Sequence, residues 1–276
     1  MNKILANSYS NKIFKNLISK TTKAFTWKVD YSFDTRDFLN KTSEYESKIE
    51  DTLKHQQKSL PESAIEGHAT EEGTNKYSLR NTSEVHAEHF RKFYYTNWKV
   101  SSLGLGTYTG APDDINDFYL YNSIKSCVLS GGINHIDTAI NYRYMKSERV
   151  VGKVLRTLCT KYSYDRNEII ISSKIGYVPE DADNGKRSHA FVQDLIEKNK
   201  ISIEDVIFDD KKRPVHCMHP EYLSEQLNIS LNNLEIKTVD IMYLHNIQES
   251  QGAVLPLEMF EDRLTKAFEF MVRYFI

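Results

Sequence analysis

The 276-residue sequence lacks any apolar run of about 18 residues, the length that a membrane-spanning helix requires. Its three cysteines, Cys127, Cys159 and Cys217, lack the spacing of a disulfide framework, which indicates free thiols in a reducing compartment. The net charge of −2 provides no excess of positive charge for bulk binding to nucleic acid. These absences indicate a globular protein with neither a membrane span nor a nucleic-acid partner.

Acidic residues are absent from the first 29 positions, where lysine recurs among Ser, Thr, Asn and aliphatic residues. Residues such as Ile13, Phe14 and Leu17 can form one face of a basic amphipathic helix, as in a mitochondrial import signal. Arginine, which is usual in such signals, is replaced here by lysine, and the alternative is a disordered basic tail. Residues 1–29 therefore predict a transit peptide and a mitochondrial matrix location, with the cytoplasm as the alternative.

The following segment, residues 30–71, is polar, mixed in charge and poor in β-branched runs. A segment of this composition buries little apolar surface, so we predict a linker or loosely attached arm. The packed domain is predicted to occupy residues 72–276.

That domain alternates predicted strands with predicted helices, after a small hairpin at 93–100. Such alternation implies a parallel sheet with right-handed crossovers, so we predict an α/β fold of the (β/α)₈ TIM-barrel type. We expect only the first four or so β/α units in this chain, which would leave a sheet edge for a protein partner to cover. The strands are predicted at 101–107, 133–137, 168–174 and 238–244, the helices at 115–130, 147–158, 220–234 and 258–274, and a long excursion at 175–219.

Four residues with titratable side chains lie at or just after the predicted strand ends: Asp137, Tyr142, Lys174 and His245. In a barrel they would converge on one mouth. A neighbouring ammonium such as Lys174 lowers the pKa of a phenol, which would make Tyr142 a general acid towards a carbonyl. Asp137 would hold Lys174, and His245 would orient the substrate oxygen. Each residue alone also fits a structural role, as a turn cap, a surface strand end or a core histidine.

The motifs SSLGLGTY, GINHIDTAINYR, SERVVG, IISSKIGY, HCMHPEYLSEQL and VDIMYLHN, in this order, resemble the aldo-keto reductase family. The resemblance implies an oxidoreductase that uses NADPH to reduce an aldehyde or ketone, with Asp137, Tyr142, Lys174 and His245 as the catalytic tetrad. It also implies cofactor contacts at Thr107 and Tyr108, beside the nicotinamide ribose, and at Asp137.

The family holds the phosphates of its cofactor mainly on the last barrel strands, which would lie beyond Ile276. We therefore expect weak NADPH binding by this polypeptide alone. The alternative is a catalytically inactive half-barrel that serves as an interaction subunit of a larger assembly.

Two further groups of polar residues could form sites. His216, Cys217 and His219 form an HCxH pattern, but a second ligand pair is missing, and no metal site is predicted. The polar residues of the long excursion predict a solvated face or a lid on the substrate side. They are Asp181, Asp183, Lys186, Arg187 and His189.

Overall fold

The alternating segments form an α/β fold around a four-stranded parallel sheet, in a computed structural model that describes residues 63–94 and 96–275. By internal contacts, Ser59–Glu269 form the compact unit that contains this sheet. The helices are α1 (Glu71–Ser78), α2 (Asp114–Leu129), α3 (Lys146–Lys161), α4 (Ser188–Glu197), α5 (Pro220–Leu234) and α6 (Leu257–Phe275). The strands are β1 (Phe90–Lys92), β2 (Lys99–Ser101), β3 (Leu105–Gly106), β4 (His135–Asp137), β5 (Ile170–Ile175), β6 (Val206–Phe208), β7 (Pro214–Cys217) and β8 (Ile241–Leu244).

The central sheet has the strand order β3-β4-β5-β8, with all neighbours parallel. Asp137 lies opposite Ser172, and Lys174 lies opposite Tyr243. Five of the six residues of β5 are buried, as expected for a parallel strand covered on both faces. The predicted parallel α/β sheet is therefore confirmed.

Helix α3 packs between α2 and α5, and α5 contacts β5 of the parallel sheet. At Gly152 of α3, an added Cβ would lie 2.7 Å from the Leu234 carbonyl oxygen, so glycine permits the close approach of α3 and α5. No helix in the described ranges is long and apolar enough to cross a membrane. The buried apolar residues of α3 are the predicted ones: Val150, Val151, Val154, Leu155 and Leu158.

The first predicted strand is divided between two sheets. Residues Lys99–Ser101 pair with Phe90–Lys92 in an antiparallel hairpin, and only Leu105–Gly106 join the parallel sheet. The Ser101 hydroxyl donates to the Leu103 carbonyl at 2.7 Å, and this local bond turns the chain between the two sheets. The predicted hairpin at 93–100 is thus displaced, because residues 93–98 form its connection.

The long excursion is ordered and contributes its own secondary structure, α4 and the antiparallel hairpin β6–β7. Phe191 and Leu195 of α4 pack with Val206 of β6 in one buried cluster. The same cluster contains Ile140 and Met145, which flank Tyr142 in the loop after β4. Packing therefore joins the excursion to that loop.

The predicted transit peptide (1–29) and most of the predicted linker (30–71) lie outside the described residues. The described end of the linker is packed, since Ala64 and Ala69 are buried. The Ile65 amide donates to the Glu235 carbonyl at 2.8 Å, and the Ala69 amide donates to the Asp240 carboxylate at 2.6 Å. A backbone carbonyl after α5 and a carboxylate before β8 thus hold residues 63–71, although their composition is that of a linker.

Candidate active site

The four strand-end residues lie around one cleft. Asp137 ends β4, Lys174 belongs to β5, His245 follows β8, and Tyr142 lies in the loop after β4. All four line a cleft of about 770 Å³ at the carboxyl edge of the parallel sheet. Its other lining residues are Tyr108, Asn141, Tyr177, Tyr243, Leu244 and Asn246.

An ion pair crosses from β4 to β5 at the base of the cleft. The Lys174 ammonium donates to Oδ2 of Asp137 at 2.6 Å and to the Thr138 carbonyl at 2.9 Å. The other carboxylate oxygen of Asp137, Oδ1, accepts from the Ser172 hydroxyl at 2.8 Å. The Lys174 side chain is 16 % exposed and that of Asp137 is 32 % exposed, so the pair is partly shielded but open to the cleft.

The Tyr142 ring contacts the lysine, the histidine and a second tyrosine. The Lys174 Nζ lies 4.6 Å from the Tyr142 ring centroid. The ring meets those of His245 and Tyr108 edge to face, with centroid distances of 5.7 and 5.0 Å. The phenol is thereby placed beside one ammonium and one imidazole in the same cleft.

An unusual backbone run follows Tyr142. Arg143, Tyr144 and Met145 have φ values of 49°, 54° and 72°, although none is glycine. Left-handed conformations cost about 1–2 kcal/mol per ordinary residue, so the surrounding contacts must compensate. The Arg143 guanidinium donates twice to the Ala111 carbonyl, at 3.0 and 2.8 Å, and Met145 is buried.

Three cations after Tyr142 pair with carboxylates from α2 and the excursion. In this charged cluster, burial disfavours the ammonium of Lys146, but Asp183 and Asp117 raise its pKa above the ordinary value. The Arg149 guanidinium lowers the pKa of Asp181. The pairs are Arg143–Asp117 (2.6 Å), Lys146–Asp117 (2.9 Å), Lys146–Asp183 (2.8 Å), Arg149–Asp181 (2.7 Å) and Arg149–Asp183 (2.5 Å).

The charged cluster corrects part of the sequence analysis. Asp181 is buried and so does not belong to a solvated face, whereas Asp183 is exposed as predicted and pairs with two cations. Lys186, Arg187 and His189 are exposed, as predicted.

Backbone bonds hold His245 at the end of β8. Its amide donates to the Ile175 carbonyl at 2.8 Å, and its carbonyl oxygen accepts from Nε2 of His216 at 2.8 Å. Burial, with a smaller contribution from Lys174, lowers the pKa of His245 to about 4, so the imidazole is neutral near pH 7. The Tyr177 ring lies edge to face with both imidazoles, at 4.9 and 5.3 Å.

The HCxH pattern has structural explanations. His216 is buried, with Nδ1 accepting from Gln251 at 2.9 Å, and burial lowers its pKa to about 4. Cys217 is buried in the core, and Nδ1 of His219 accepts from the Glu221 amide at the start of α5. Within residues 63–94 and 96–275, no three or more His, Cys, Asp or Glu side chains are grouped to hold a metal ion.

Thr107 and Tyr108 follow β3 and are both predicted from the sequence to contact the cofactor. Tyr108 lines the cleft and Thr107 does not. Thr107 is buried, and its hydroxyl donates to the Asp137 carbonyl at 3.1 Å. It therefore supports the backbone at the end of β4. Sequence reasoning missed Ser172 beneath Asp137, although alternation along β5 places its side chain on the same face as Lys174.

Known proteins are similar to parts of this chain. Solved structures similar to it include an aldo-keto reductase of Bacillus halodurans, with 20 % identity, a TM-score of 0.37, and coverage of 63 % of this chain and 46 % of that one. The silkworm (Bombyx mori) aldo-keto reductase is 17 % identical, with a TM-score of 0.43 and coverage of 67 % of this chain and 44 % of that one. The aldose reductase of Schistosoma japonicum is 18 % identical, with a TM-score of 0.32 and coverage of 54 % of this chain and 34 % of that one.

The chain thus spans less than half the length of each of these structures. The model of the aldo/keto reductase family matches residues 102–269, which is more than half of the chain. That match includes all four cleft residues predicted from the strand ends, and the chain belongs to the aldo/keto reductase family.

Proposed function

We propose that the protein reduces a small aldehyde or ketone to an alcohol with NADPH, using Tyr142 as the proton donor. The observation that carries the proposal is the presence of Asp137, Tyr142, Lys174 and His245 around one cleft, with the Lys174 ammonium against the Tyr142 ring. Membership of the aldo/keto reductase family supports the same chemistry.

NADPH, when bound, would supply the hydride that reduces the carbonyl carbon. Tyr142 gives its proton to the carbonyl oxygen, which completes the alcohol. The Lys174 ammonium then stabilises the negative charge left on the phenol oxygen, and Asp137 holds that ammonium through the 2.6 Å bond. Neutral His245 donates an imidazole N–H to the substrate oxygen and orients it.

The cleft fits the nicotinamide end of the cofactor better than its phosphates. Its volume lies in the range of small-molecule sites, and tyrosine rings and asparagine amides offer flat and polar surfaces. Lys174 is the sole cation among the described lining residues, and it is already paired with Asp137. We therefore propose that Tyr108 and Asp137 border the nicotinamide ribose, with Thr107 supporting them from below.

We further propose that the sheet belongs to a (β/α)₈ barrel. The parallel order β3-β4-β5-β8, with helices in the connections, supports this architecture, as does the placement of the cleft at the carboxyl edge.

Tyr142→Phe tests the proposed function. With the purified full chain, NADPH or NADH, and para-nitrobenzaldehyde as a probe, we expect this variant to lower kcat by about 10²–10⁴-fold, the contribution of a general acid. Tyr144→Phe is the matched control, because Tyr144 lies two residues later in the same loop, is 46 % exposed and does not line the cleft.

Turnover that survives in Tyr142→Phe would contradict the assigned role of Tyr142. If the unmodified chain reduces no aldehyde or ketone with either nucleotide, the interaction-subunit alternative takes the place of the proposed reaction. Fluorescence titration of each nucleotide then distinguishes a chain that does not bind cofactor from one that binds it without turnover.

A further inference from the structure

Four polar side chains share one face of the sheet, two on β4 and two on β5. His135 and Asp137 are two residues apart on β4, and Ser172 and Lys174 are two residues apart on β5. Asp137 lies directly opposite Ser172 in the parallel register. Because side chains alternate along a strand, a His-x-Asp sequence faces a Ser-x-Lys sequence on the same side.

The hydrogen bonds in this group run in a defined direction. A carboxylate only accepts, so the single hydroxyl proton of Ser172 is donated to Oδ1 of Asp137, over 2.8 Å. The Ser172 oxygen, 3.0 Å from Nε2 of His135, must then accept from that nitrogen. His135 therefore carries a proton on Nε2, and the bonds lead from His135 through Ser172 to Asp137.

The two oxygens of Asp137 thus have separate partners. Ser172 binds Oδ1, and Lys174 binds Oδ2. Ser172 is fully buried, so water does not replace its hydroxyl when that group is removed. Without this donor the Asp137 carboxylate keeps its bond to Lys174 but loses the bond that fixes its other oxygen, so the Lys174 ammonium is held less firmly against the Tyr142 ring.

We propose that Ser172, supported by His135, is a positioning residue that orients Asp137 and, through it, Lys174. This inference rests on the proposed carbonyl reduction for its catalytic consequence. Its structural part, that Ser172 fixes the Asp137 carboxylate, stands independently of turnover.

The adjacent residue offers a matched control. Ser173 is also fully buried on β5, and its hydroxyl donates to a carboxylate, Oε1 of Glu148, at 2.7 Å. Alternation directs it to the opposite face of the sheet, towards α3 and away from the cleft. Ser172→Ala and Ser173→Ala therefore remove the same kind of bond from the same strand, and only the first touches Asp137.

A kinetic double-mutant cycle tests the catalytic consequence. We expect Ser172→Ala to lower kcat about 10-fold to 100-fold with little change in KM, and Ser173→Ala to leave both near the wild-type values. If Ser172 acts through Asp137, Ser172→Ala should have no further effect on kcat in an Asp137→Asn background. Equal losses in both serine variants, or additivity with Asp137→Asn, would overturn the positioning role.

An NMR measurement tests the structural part without turnover. The ¹³C carboxyl resonance of Asp137, assigned by its loss in Asp137→Asn, should shift or broaden in Ser172→Ala and stay in place in Ser173→Ala. An unchanged resonance in Ser172→Ala overturns the inference even in an active enzyme. A wild-type chain without activity overturns the proposed function, while the resonance still decides the role of Ser172.

A second substitution guards against loss of folding in the alanine variant. Ser172→Cys keeps a side chain of similar shape and a weak S–H donor, so its effects on kcat and on the Asp137 resonance should lie between wild type and alanine. Equal effects of cysteine and alanine would contradict a role for donor strength.

Discussion

Two regions on either side of Tyr142 pair cations with carboxylates in different ways. At the base of the cleft, Lys174 meets one carboxylate, Asp137, and both side chains remain partly exposed. In the charged cluster, Arg143 and Lys146 are almost fully buried and share Asp117, and Lys146 and Arg149 share Asp183. The first pair faces an open cleft, whereas the charges of the cluster pair mainly with one another.

The difference indicates that the cleft pair serves the reaction and that the charged cluster supports the fold. An ammonium beside a tyrosine ring at a cleft can respond to a substrate, and its removal leaves few buried groups unpaired. The charged cluster joins α2, the loop after Tyr142 and the excursion, and it surrounds three left-handed residues that would be unfavourable alone. We therefore expect substitutions in the cleft to change turnover and substitutions in the cluster to change stability.

Lys174→Met should have the largest effect. Loss of the ammonium removes the group that stabilises the charge left on Tyr142, and we expect kcat to fall by about 10²–10⁴-fold. The free energy of unfolding should change by only about 1 kcal/mol, because the Asp137 carboxylate remains accessible to water and hydrogen-bonded to Ser172. Steady-state kinetics and urea denaturation measure the two quantities.

Lys186→Met is the control for this variant, since its exposed ammonium lies over the Phe191 ring and outside the cleft. A large loss of stability in Lys174→Met without a selective loss of turnover would erase the distinction between the two regions.

Arg143→Met should have the opposite profile. The substitution removes one of the two cations that pair with Asp117 and removes the hydrogen-bond donor of the Ala111 carbonyl. We therefore expect a destabilisation of about 3 kcal/mol in urea denaturation. The turnover of the remaining folded protein should fall less than in Lys174→Met. In the control Arg187→Met, the guanidinium is 79 % exposed and pairs with Glu180 at the surface, so stability should change by less than about 0.5 kcal/mol.

If Arg143→Met instead abolishes turnover while the urea midpoint is unchanged, the charged cluster takes part in the chemistry directly. That result would also require a new explanation of the left-handed run that follows Tyr142.

The comparison also shows what the sequence allows to be predicted. Asp137, Lys174 and His245 could be placed together because strand ends follow from apolar runs and parallel strands share a carboxyl edge. The bounds of α5 follow from apolar spacing and from Pro220 at a favoured first position, and the start of α3 follows from apolar spacing, although α3 ends three residues later than predicted.

Other features depend on contacts that no local pattern encodes. Arg143, Tyr144 and Met145 give no signal for left-handed backbone, since neither glycine nor asparagine is present. Asp181 and Asp183 have the composition of a surface loop, and Arg149, more than thirty residues away in the chain, gives both of them a partner; Asp181 becomes buried there and Asp183 stays partly exposed. The role of His216 likewise depends on the His245 carbonyl, which lies just after β8.

The smallest predicted effect concerns Asp181 and pH. Since Arg149 lowers the pKa of Asp181 in the folded protein, the unfolded state binds the proton first as pH falls. The stabilisation from this ion pair is therefore complete above the unfolded pKa of about 3.9 and is lost at lower pH. In Asp181→Asn, unfolding free energy at neutral pH should be lower than in wild type, and the difference should shrink below about pH 4.

Asp262→Asn, which removes an exposed partner of Lys266 on α6, controls for the loss of one charge. A difference between wild type and Asp181→Asn that stays constant into acid would mean that the charged cluster supports the Tyr142 loop through packing, and the contrast with the cleft pair would then be one of burial alone.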